Sequence, residues 1–84
     1  MSWHKYETIP GIRPGEKTVI WVSDNGWVIH SEYVAIPHAN GSGYWVRPYF
    51  NLFDPEGVSI GRYELMVRAK KAAAEMAARR EGLE

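Results

Sequence analysis

Up to Tyr63 the apolar residues of this chain crowd into short runs bounded by Gly, Pro and Asn; beyond it they recur at helical spacing. The runs are rich in β-branched and aromatic side chains, which favour strands. Thr18-Val19-Ile20-Trp21-Val22 is the first clear strand. Ser23-Asp24-Asn25-Gly26 follows it, and Trp27-Val28-Ile29 opens a second strand that runs to Ile36 and stops at Pro37. Asn25-Gly26 is a strong hairpin signal, because a type I′ turn needs positive φ at both central residues. A two-residue loop there predicts Asp24 opposite Trp27, Val22 opposite Ile29 and Ile20 opposite Ser31. One face then holds Ile20, Val22, Trp27, Ile29 and Tyr33 and turns to the core. The other holds Val19, Trp21, Val28, His30, Glu32 and Val34 and stays half-exposed.

His38-Ala39-Asn40-Gly41-Ser42-Gly43 reads as a loop, and Tyr44 to Phe53 as a third strand in which Pro48 marks an edge or a bulge. Asp54-Pro55-Glu56-Gly57 is a type I turn closed by a glycine with positive φ. Val58 to Tyr63 is the returning strand. Its register stays open, because a three-residue loop with a bulge and a four-residue loop bring opposite sets of side chains together. In residues 1–16, Trp3 to Ile9 is a candidate edge strand, and Pro10-Gly11 and Pro14-Gly15 are turn signals. Trp3, Tyr6 and Ile9 alternatively fold over the second sheet face.

A helix is predicted from Glu64 or Leu65 to Arg80, mainly on alanine content. Met66, Ala69, Ala73, Met76, Ala77 and Arg80 lie on one stripe, and Gly82 is a fitting stop. The junction offers no good N-cap residue. The elements predict an α+β fold in a single domain over 1–84. It comprises an antiparallel β-meander over 17–63, of four strands or of five if 1–16 supply one, a helix over 64–80 packed on one face, and a tail over 81–84.

Composition narrows the function classes. At 84 residues the chain buries a modest fraction of its surface. It has no cysteine, so neither disulfides nor thiolate metal sites supplement the core. No apolar run approaches the ~18 residues of a membrane span, and Met1-Ser2-Trp3-His4-Lys5 lacks the apolar stretch of a signal peptide. A cytoplasmic protein with no membrane association is expected. Leu83-Glu84 is either native or left by an expression vector. The net charge is zero but uneven: residues 1–61 carry −2, residues 62–80 carry +4, and Glu81 and Glu84 close the balance.

Chemistry-bearing motifs are few. His30 and Glu32 share a strand face, and with His4 or His38 they form a candidate zinc or general-base site, but the spacing matches no usual zinc pattern. Asn40-Gly41-Ser42-Gly43 has a strand after it rather than the helix a phosphate cradle needs. No serine sits in a Gly-x-Ser-x-Gly elbow. No enzyme, cofactor or metal is therefore expected. The stronger signal is the aromatic set. One alanine-lined helix covers one face of a ring-rich sheet, and exposed apolar area marks interaction sites. The expectation is a small protein-binding module that acts on a protein partner or on itself, as a homodimer. Its site residues are Trp21, His30, Trp45, Arg47 and Tyr49, types that include those enriched at interface hot spots. Strand edges at the Lys17 and Val58 strands offer a further route to pairing between protomers.

The alternative is nucleic-acid binding through the basic helix, with Arg68, Lys70, Lys71, Arg79 and Arg80 on phosphates. The stretch from Tyr49 to Ala74 runs as an aromatic strand, Asp54-Pro55-Glu56-Gly57, a second strand, then Tyr63-x-x-Met66-x-x-Ala69-Lys70. In this element order it resembles the small sheet-based DNA-binding domains at the N-termini of some phage-type integrases. That resemblance implies a sheet that reads DNA. Those domains use a basic sheet, whereas this one is net acidic and offers Arg47 and Arg62. In size and style the chain also resembles short proteins of phages and mobile elements, some of which bind host machinery.

Overall fold

The computed structural model describes residues 1–82; Leu83-Glu84, whose origin the sequence leaves open, lie outside the described residues. Five strands, β1 (Trp3–Pro10), β2 (Lys17–Ser23), β3 (Val28–Pro37), β4 (Tyr44–Phe53) and β5 (Ser59–Tyr63), form one antiparallel sheet in the order β1-β2-β3-β4-β5. A helix, α1 (Met66–Gly82), follows. This is the α+β meander with one packed helix, completed by the fifth strand. Within residues 1–16, Trp3–Pro10 pairs in the plane of the sheet as an edge strand, so β2 is interior and the Lys17 strand is not an edge. The helix reaches Gly82, which takes in two residues of the expected tail.

The helix lies principally on β4 and β5. Ala69 and Ala73 are fully buried, and with Trp27, Ile29, Phe50 and Leu52 they form the core. Trp3, Trp21, Ile60, Tyr63, Met66, Ala72, Met76 and Ala77 pack around them. The alanines let the helix axis approach the sheet, and the Trp27 ring, 2 % exposed, fills the space they leave.

Two hairpin turns share one geometry. In the β2–β3 turn Gly26 (φ +89°) donates its N–H to Ser23 O at 3.1 Å, and Ser23 N–H donates to Trp27 O at 2.8 Å. In the β4–β5 turn Gly57 (φ +86°) donates to Asp54 O at 2.9 Å, and Asp54 N–H donates to Val58 O at 3.0 Å. Each is a three-residue loop with a left-handed glycine in the bulge position. In each, the first residue's side chain also caps the last residue's amide: Trp27 N–H to Ser23 Oγ at 2.8 Å, Val58 N–H to Asp54 Oδ1 at 2.9 Å.

The extra loop residue corrects the expected β2–β3 register. Trp21 sits opposite Ile29 and Val22 opposite Val28. A shift of one residue exchanges the faces of a strand. Val19 and Trp21 therefore join Trp27, Ile29 and Ser31 on the helix side, and Ile20 and Val22 move to the reverse side. The β4–β5 register, open in the sequence, resolves to the three-residue loop, with a further irregularity between Leu52 and Phe53.

The molecule is elongated, 54 × 23 × 19 Å, with a radius of gyration of 14.9 Å, against about 12 Å for a compact chain of this length. The β3–β4 hairpin projects beyond the helix. There the β1–β2 loop covers the helix side instead. Glu16 accepts Arg13 N–H at 2.9 Å and Ala35 N–H at 3.2 Å through its carboxylate, prolonging the ladder past the end of β2. Gly15 presses so closely on Val46 that an added Cβ would lie 2.8 Å from its Cγ2. Helix and loop thus lie over the same side, where Tyr44 and Val46 near the hairpin tip stay exposed. No element among the described residues covers the other.

Candidate interaction surface

The reverse face is read from the register. One row crosses all five strands: Glu7, Ile20, His30, Asn51 and Arg62 are successive cross-strand partners. A neighbouring row is His4, Val22, Val28 and Phe53. On the other side lie Ile9, Thr18, Glu32 and Tyr49, and then the hairpin pairs Val34 with Arg47 and Ile36 with Trp45. Ile20, Val22, Val28, Val34, Ile36 and Phe53 are all half-buried, and Trp45 is 64 % exposed. The face is more aliphatic than the expected register made it, because Ile20 and Val22 lie here.

Four of the five expected site residues share this face. The His30 ring is tilted against Phe53, centroids 4.7 Å apart. The Trp45 and His38 rings stand nearly perpendicular near the hairpin tip, centroids 5.3 Å apart. The Arg47 and Arg62 guanidinium carbons stand 5.4 and 4.8 Å from the Tyr49 ring centroid, and Arg47 pairs with Glu64 at 2.9 Å. Arg62 reaches Asn51 Oδ1 at 3.2 Å and Glu32 at 3.7 Å. Trp21 is the exception. It is half-buried on the helix side, with Lys70 Nζ 5.8 Å from its ring.

The three histidines do not converge. His4 lies opposite Val22 on β2, a strand away from β3 and His30, and His38 belongs to the β3–β4 turn. Among the described residues no group of three or more His, Cys, Asp or Glu side chains is placed to hold a metal ion. No helix there is long and apolar enough to cross a membrane.

Beyond β5, the outer edge of β4 from Tyr44 to Tyr49 has no neighbouring strand among the described residues. Ile36, Trp45, Val46, Arg47 and Pro48 line a shallow hollow along it. Pro48 removes one donor from that edge, which blunts it against strand addition.

Of the basic helix residues, two are engaged with the fold. Lys70 lies by Trp21, and Arg80 stacks over Trp27 at 5.0 Å while bonding Asp54 Oδ2 at 3.0 Å. Asp54 is buried. Its carboxyl is held below the ordinary aspartate value, first by the Val58 N–H, then by Arg80 and the Glu56 N–H, against the opposing effect of burial. Arg68, Lys71 and Arg79 remain exposed.

The sequence reading missed Ile20, Val22 and Phe53 as surface residues. Its available signal was Ser23-Asp24-Asn25-Gly26 itself, which matches the type I preference for Ser or Asp at the first position and Gly at the fourth as well as it matches Asn-Gly in a type I′ turn. No family model, curated protein or solved structure matches the chain.

Proposed function

We propose that this chain is a non-enzymatic protein-binding module that docks through its uncovered sheet face. One observation carries the reading: the helix and the β1–β2 loop lie on the same side, and the reverse side keeps Ile20, Val22, Val28 and Phe53, neighbours in two adjoining cross-strand rows, only half-buried with no element over them among the described residues. Scattered exposed apolar residues need no explanation, but a contiguous patch does. The sheet projects roughly 600–700 Å² at ordinary strand spacing and rise, close to the ~800 Å² that each partner contributes to a standard interface. Trp45 and Tyr49, with Arg47 beside them, supply hot-spot residue types at one end.

The test compares two surfaces. Ile20→Lys combined with Trp45→Ala alters the uncovered face; Val67→Glu alters the exposed side of the helix. Proteins cross-linked to the wild-type chain, its own copies included, are expected to be lost with the first variant and kept with the second. Retention of every cross-linked protein by the sheet-face variant, with its melting curve intact, would overturn the reading.

A further inference from the structure

We infer that the occupant of the uncovered face is a second copy of this chain, packed face to face across a two-fold axis parallel to β3. The inference rests on the reading above and adds the partner and its orientation.

The central row carries the argument. It begins with an acid on the outer strand β1, Glu7, and ends with a base on the outer strand β5, Arg62. Ile20, His30 and Asn51 lie between them. A two-fold axis along β3 in the interface plane keeps the level along the strands and reverses the strand order. It lays Glu7 opposite Arg62 of the second copy, and Arg62 opposite Glu7 of the second copy. A two-fold axis across the strands instead lays β1 on β1 and β5 on β5, with no opposite charge facing either end. Packed sheets stand ~10 Å apart and cross at about −30°, a gap and an offset that a Glu and an Arg side chain can bridge together.

The remainder of the face suits this partner. Val22, Val28 and Phe53 form the adjoining row; across the axis Val28 meets its own copy, and Val22 and Phe53 meet each other's copies, so the row is apolar on both sides. Glu32, on the central strand, faces its own copy across the axis, and Arg62, 3.7 Å from it, is shared between Glu32 and Glu7 of the second copy. Asn51 Oδ1 is occupied by Arg62 at 3.2 Å, which limits its cost opposite an apolar neighbour. The chain has no net charge to set two copies against each other. An isologous contact needs only this one self-complementary patch.

Sedimentation equilibrium on the full chain tests the proposal. The wild type is expected to be a reversible dimer. Glu7→Arg and Arg62→Glu are each expected to weaken it about tenfold or more, because the two-fold doubles every like-charge contact created. The double variant E7R/R62E should recover most of the loss. Circular dichroism of each variant at a concentration where the wild type is monomeric separates loss of association from loss of fold. A wild type that stays monomeric overturns the inference, and so does a dimer in which the double variant is no better than the single ones. A monomer that still cross-links another protein through the sheet face leaves the reading above standing. A monomer with no face-dependent cross-link removes both.

Discussion

On the helix side of the sheet, Trp27, Ile29 and Leu52 are almost wholly withdrawn from water; on the reverse side, Val28, Ile20 and Phe53 come from the same strands or their direct neighbours and stay half-exposed. The two sides differ little in apolar content. They differ in what lies above them. Strands with both faces apolar are characteristic of sheets covered twice. Among the described residues one helix and one short loop cover the sheet, and both lie on the same side. The helix side therefore holds the fold together, and the reverse side has apolar area left for association.

The sharpest way to break that contrast is to truncate one residue on each side. Trp27→Ala opens a cavity under Ala69 and Ala73 and is expected to cost about 3–5 kcal/mol, enough to unfold a chain of this size on its own. Ile20→Ala on the reverse side should cost about 1 kcal/mol or less in a dilute monomer. Urea melts at low concentration check both. Similar costs at the two positions would mean that the reverse face is already buried within the monomer.

A second contrast lies in the pH dependence. Asp54 ties the β4–β5 turn to the end of the helix through the Val58 and Glu56 amides and Arg80. Its folded value lies below the ordinary aspartate value of 3.8. Its stabilising contribution is therefore complete above that ordinary value and is lost as the pH falls through the lower folded one. Asp54→Asn should lower stability at neutral pH and flatten the dependence of stability on pH below about 4. Acid titration of both chains followed by tryptophan fluorescence measures this. An unchanged acid slope in the variant would show that Asp54 is not the linkage.

Smaller effects come from the two turns. Gly26→Ala and Gly57→Ala each force a side chain into the left-handed region and should cost about 1–2 kcal/mol. Asn25 has no positive φ, so Asn25→Ala should carry no such backbone strain. In a two-residue type I′ loop it would carry as much as the glycine. The three urea midpoints, compared at constant denaturant slope, thus report the turn type and with it the face that Ile20 occupies.

That turn also marks the limit of what the sequence alone conveys. The strands, the helix and its alanine stripe were legible because β-branched runs, glycine punctuation and helical spacing act locally. Asp54-Pro55-Glu56-Gly57 was legible as well, since proline fixes the second position of a type I turn. Ser23-Asp24-Asn25-Gly26 suits two loop lengths, and local chemistry does not choose between them. The choice comes from tertiary burial, which places Trp21 beneath the helix and seals Trp27 there. The candidate site inherits the difference. His30, Trp45, Arg47 and Tyr49 lie on the uncovered side, Trp21 does not, and the aliphatic centre of the face was hidden in the expected core. Roofing by the β1–β2 loop was beyond local reading too, because it depends on Glu16 reaching the amide of Ala35, 19 residues away.

The smallest expected effect concerns the ion pair between Arg47 and Glu64, 2.9 Å apart with both side chains largely in solvent. Pairs of this kind contribute about 0–1 kcal/mol, so Glu64→Ala should leave the melting curve nearly unchanged. Removing Glu64 frees the guanidinium beside Tyr49 without disturbing the core. Arg47→Ala should be equally silent in the melt of the monomer, and its effect should appear in association, where the same side chain loses its solvent. If both variants instead destabilise the monomer by several kcal/mol, the polar strip along β4 belongs to the fold rather than to a partner, and the division of labour between the two faces fails at that end of the sheet.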